Sequence, residues 1–126
     1  MSQASFVPGR QLLVTTTAGK GFTMHNLEDS SSAVQSTGAA TIYAVATHAS
    51  TSGTSIVVGA SNGWIAVYDA ESELLGSAAA RPQYETTTVP AEMVNGLCFS
   101  EDGDRLFVAT KGGPVQVRRS HHWLRT

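Results

Sequence analysis

The chain has a single cysteine, Cys98, among 126 residues, so no disulfide framework can staple it and a reducing compartment fits. Cys98 lies in the apolar run Leu97-Cys98-Phe99 and is expected to be a small buried hydrophobe. Charge is also scarce. Charged residues make up 14% of the chain and the net charge is −2, with a pI near 6.0, which argues against a broad nucleic-acid footprint. No apolar stretch approaches the length of a membrane span. The opening MSQASFVPGRQ lacks the basic region and apolar core of a signal peptide. These absences point to an intracellular protein, cytoplasmic or nuclear, with no membrane role. One domain is the natural count at this length.

Several chemistries also lack their residues. There is no G-x-S-x-G elbow, no Walker-type phosphate loop and no G-x-G-x-x-G. Ala18-Gly19-Lys20-Gly21 is expected to be a hairpin turn. His121-His122 are adjacent, so on a strand they point to opposite faces and do not share a metal. No metal or cofactor is expected. Helical periodicity is poor, and Gly76 and Ser77 interrupt the one Ala-rich candidate, Glu71–Ala80.

What the sequence does have is repetition. MVNGLCFSEDGDRLFVATKGGPVQVRR (93–119) restates IYAVATHASTSGTSIVVGASNGWIAVYD (42–69), and FVPGRQLLVTTTAGKGFTMHN (6–26) restates it without its beginning. Gly53, Ile56, Gly63, Ile65 and Val67 match Gly103, Leu106, Gly113, Val115 and Val117 at a constant offset of 50. Gly9 and Leu12 match Gly53 and Ile56 at 44, and one extra turn residue then brings Phe22, Met24 and His25 onto Ile65, Val67 and Tyr68. Self-similarity at this period is the signature of a repeat architecture. The units span approximately 6–36, 41–80 and 92–126.

Each unit reads as β-structure. Ile65-Ala66-Val67-Tyr68 and Val115-Gln116-Val117 alternate with the period of a strand. Leu12-Leu13-Val14 and Ile56-Val57-Val58 are continuous apolar runs, as in strands buried on both faces. Asn62-Gly63 and Gly112-Gly113 supply tight turns between them. A full unit is then a three-strand antiparallel meander, with a weaker fourth strand at Ser32–Ser36 and Leu74–Ala78. Arg81–Pro90 reads as an extended connector, because Pro82 and Pro90 disfavour helix before them.

Ser100-Glu101-Asp102-Gly103 and Ala60-Ser61-Asn62-Gly63 through Tyr68-Asp69 resemble the WD-repeat family of β-propellers. In that family a Ser-Pro-Asp-Gly-like turn ends the first strand and Trp-Asp ends the third. Tyr68-Asp69 stands at the Trp-Asp position, and Arg118-Arg119 stands there in the last unit. The resemblance implies an all-β, partial propeller of roughly three antiparallel blades with three to four strands each. Propellers close with typically four to eight blades. The chain is therefore expected to be a truncated piece of a longer propeller, a piece completed by a second copy or another chain, or a small blade-like β-domain, in that order.

The resemblance further implies a non-enzymatic scaffold that binds a protein partner or itself. Candidate contacts are the aromatic residues at turns and strand ends, Trp64, Tyr68, Tyr84 and Trp123, together with Arg118 and Arg119 of the basic C-terminal stretch. Nucleic acid is the less favoured partner. The alternative is a fragment of a hydrolase or lactonase-like propeller enzyme, for which His48 and Asp69 are the plausible contributors.

Overall fold

A computed structural model of the chain describes residues 3–7, 11–16, 19–38, 40–50 and 53–119. The described residues are all-β apart from turns, with three antiparallel sheets. The first holds β1 (Ala4–Val7), β2 (Leu12–Thr16), β3 (Gly21–Asn26) and β4 (Ser32–Ser36) in that order. The second holds β5 (Ile42–Ser50), β6 (Gly53–Ala60), β7 (Trp64–Asp69) and β8 (Tyr84–Thr87). The third is a meander of β9 (Val94–Phe99), β10 (Arg105–Thr110) and β11 (Gln116–Arg119). Among the described residues no sheet closes on itself, since each ends in two different edge strands.

The sheets stack face on face with the second in the middle. Val14, Phe22 and Met24 of the first sheet pack on Ile56, Val58, Ala66 and Tyr68 of the second. Phe22 meets the Tyr68 ring edge-on, with centroids 5.2 Å apart, an arrangement that adds about 0.5–1.5 kcal/mol beyond area burial. On the opposite face, Val57, Ile65 and Val67 pack on Val94, Leu106 and Val108 of the third sheet. The run Ile56-Val57-Val58 is fully buried because its side chains alternate between these two cores. Contact here is close enough that a Cβ on Gly59 would overlap the Val94 side chain.

Pairing registers turn the repeat into a structural equivalence. Val14 faces Met24, Val57 faces Val67, and Phe107 faces Val117 across corresponding strand pairs. The second and third strands of the first unit therefore match those of the second at a common offset of 43, one less than the spacing expected for its second strand, and Leu13 rather than Leu12 corresponds to Ile56. In-phase side-chain direction decides this, because a one-residue slip turns every side chain to the other face.

Other expectations are also corrected. The first unit does have its first strand, Ala4–Val7. Ser32–Ser36 is a fourth strand, but Leu74–Ala78 forms turns, and the second sheet is completed by Tyr84–Thr87 from within the supposed connector. Cys98 is exposed rather than buried. It alternates with Leu97 and Phe99, which pack toward the second sheet.

Candidate functional site

The first strands of the three sheets, β1, β5 and β9, converge on a cleft of about 630 Å³. Its lining includes Phe6, Thr47, His48, Cys98 and Phe99. All three are edge strands, and side chains join them. Gln3 is the main link: its Nε2 donates to the Asn95 carbonyl at 2.6 Å and its Oε1 accepts from the Val45 N–H at 3.4 Å. The backbone of Gln3 is held in turn by Thr16, whose Oγ1 accepts from the Gln3 N–H at 2.9 Å. The hydroxyls of Ser5 and Thr47 bond at 2.7 Å across the first and second sheets. Nothing in the repeat marks Gln3, because it lies before the aligned residues.

His48 closes the other end of this seam. Its ring lies 5.3 Å from that of Phe99, and a Cβ on Gly103 would overlap it. Gly103 has φ +76°, so glycine is required there by backbone as well as by space. The turn that presents it is self-bonded: the Ser100 hydroxyl donates to Asp102 at 2.8 Å and the Asp104 N–H donates to the same carboxylate oxygen at 2.9 Å. Those two donors, the backbone one first, hold the Asp102 carboxyl below its ordinary pKa. His48, Ser55 and Asp69 stand in one register row across β5, β6 and β7. Serine is central in that row, and Asp69 accepts from the Glu71 N–H at 2.9 Å. A Ser-His-Asp relay would need the histidine between the other two. Among the described residues no three His, Cys, Asp or Glu side chains group as metal ligands would.

The expected contact residues do not form one surface. Trp64 is half-buried against the first sheet, and its Nε1 donates to Glu85 at 3.0 Å. Tyr68 is only 3% exposed, so it is a core residue rather than a surface anchor. Burial, and secondarily the Glu85 carboxylate, raises its phenol pKa. Both aromatics border a groove of about 390 Å³ with Arg81, Pro82 and Glu85. Tyr84 lies on the opposite face, against the core shared with the third sheet. Arg118 points inward, with its buried Nε lacking a hydrogen-bond partner, whereas Arg119 points outward and lies 3.8 Å from Asp104. Trp123 and the His121-His122 pair lie outside the described residues.

Besides Leu27, Leu74 and Val89 in turns and bends, exposed apolar side chains lie at the two ends of the stack. Phe6 and Val34 are 47% and 63% exposed on the outer side of the first sheet. Phe107 and Val117 are 36% and 55% exposed on the outer side of the third, joined there by Val115 and Cys98. No protein-family model matches the sequence, and no curated protein matches it.

Proposed function

We infer that the chain is a non-enzymatic protein-interaction module, a partial propeller of WD-repeat type that binds protein through the open ends of its sheet stack. The observation that carries this reading is the apolar outer face of the third sheet. Phe107, Val115 and Val117 occupy the repeat positions of Val57, Ile65 and Val67, which are buried against a neighbouring sheet. Contiguous exposed apolar residues rimmed by charge mark interaction sites on proteins of this size. Scaffolding is the common role of the family that the turns resemble, and that part of the reading is an analogy from fold.

The test compares the protein with Phe107→Asp/Val117→Asp, each immobilised and exposed to a cell extract. Proteins retained by the first and released by the variant, with both melting at the same temperature, support the module. Retention indifferent to the variant contradicts it.

A further inference from the structure

The two open ends differ, and each carries what the other needs. The third sheet covers the second with a cross-strand pair, Phe99 opposite Leu106. The outer side of the first sheet carries the same pair at the same repeat positions, Phe6 opposite Leu13. What that pair covers in the second sheet is Val57 and Val67, whose counterparts Phe107 and Val117 are exposed on the third. One end thus presents the covering pattern and the other presents the surface it would cover.

Charge has the same complementarity. Arg105 and Arg119 stand directly opposite each other on β10 and β11, on the outer face beside Phe107 and Val117. Like charges so paired repel; Asp104 lies 3.8 Å from Arg119, and the Asp102 carboxylate feels the charge of Arg105. In the observed stack, corresponding ends of neighbouring sheets align, as the contact of His48 with Phe99 shows. The end of the first sheet that corresponds to Arg105 and Arg119 is the Leu12–Asn26 end. There the β3–β4 hairpin presents exposed Glu28 and Asp29.

We propose that a second copy of this chain docks head to tail, the third sheet of each copy stacking on the outer side of the first sheet of the other. The two contacts are identical and close a two-fold ring of six sheets, within the usual range for ring-forming sheet repeats. Two polar residues on the first sheet's outer side already satisfy each other. Thr15 and His25 bond each other at 3.0 Å, so covering that pair leaves it hydrogen-bonded. This inference rests on the module reading, because it names the partner for the same end faces.

The test uses the full chain in light scattering and sedimentation across concentration, with two charge-reversed variants, Arg105→Glu/Arg119→Glu and Glu28→Lys/Asp29→Lys. The expected result is a dimer that weakens with salt. Each variant alone should lose at least tenfold in dimer affinity, while an equimolar mixture of the two should recover it, since both contacts in the mixed pair are again opposite in sign. Circular-dichroism melts confirm that each variant folds. A monomer at all concentrations overturns the proposal, and so does a dimer that the mixture fails to restore. If the monomer nevertheless binds another protein through Phe107 and Val117, self-docking alone has failed and the module reading stands.

Discussion

The middle and third sheets carry corresponding residues in opposite circumstances. Val57, Ile65 and Val67 are 0–1% exposed, whereas Phe107, Val115 and Val117 at the same repeat positions are 36–62% exposed. The chemistry of the face is conserved between the two sheets within the chain, and only the cover differs. Covering such a face would be favourable, because burying an apolar side chain of this size contributes about 1.5–3 kcal/mol. The first sheet completes the contrast. Its inner side has Phe22 and Met24 in the core, and its outer side mixes Leu13 and Phe6 with Thr15, Thr23 and His25.

The sharpest way to break the comparison is to place one charge at matched positions. Val67→Asp buries an unpaired carboxylate between two sheets and is expected to cost more than about 4 kcal/mol, abolishing the cooperative melt. Val117→Asp, its counterpart on the open face, should leave the monomer within about 0.5 kcal/mol in the same thermal scan. Equal losses would show that the third sheet's outer face is part of the monomer core.

Glycines give a second contrast of intermediate size. A methyl group at Gly59 must displace Val94, and overpacking of this kind costs about 1–3 kcal/mol. At Gly96 the same methyl group would meet only the Ala109 Cβ at 3.7 Å, an ordinary contact, so Gly96→Ala should be close to neutral. Urea denaturation of the two variants separates these outcomes. A third contrast concerns the seam between the sheets. Gln3→Ala removes the side-chain bonds to Asn95 and Val45, and chemical denaturation should show a loss of about 1–3 kcal/mol. The exposed bond from Trp64 to Glu85 should contribute less, so Glu85→Gln is expected to shift stability by under about 1 kcal/mol.

The smallest expected effect is that of pH. Asp102, in the turn docked against the second sheet, and Asp29, in the hairpin of the first, both have carboxyl pKa values lowered from 3.8 by local hydrogen bonds. A lowered folded-state value contributes stability above the unfolded pKa and loses it as pH falls through the folded one. Melting temperature should therefore decline modestly as pH drops below about 4, and Asp102→Asn should flatten part of that decline. An unchanged slope would show that the turn's bonds are not linked to folding.

Much of this architecture was legible in the chain. The offset of 50 that aligns Ile65 and Val67 with Val115 and Val117 already held the equivalence on which the open face is recognised. Four features were hidden, each for a physical reason. Cys98 sits in an apolar run whose alternation cannot show which face a neighbouring sheet will cover, so its exposure depends on tertiary packing. Tyr84-Glu85-Thr86-Thr87 is a short, half-exposed edge strand, and its polar composition resembles a loop. Tyr68 has the look of a strand-end anchor, but alternation from Ala66 turns its ring onto Phe22. Gln3 could be found only in three dimensions, because the groups it joins lie 42 and 92 residues away.

The most direct measurement is the alkylation rate of Cys98, the chain's only thiol, as a function of protein concentration. Cys98 faces Phe107 in register on the open side of the third sheet and is exposed there. The account predicts rapid modification in dilute protein and marked slowing as the concentration rises through the dimerisation range. Salt or Arg105→Glu/Arg119→Glu should reverse the slowing. A rate that stays the same from dilute to concentrated protein would contradict the claim that a second copy covers this face.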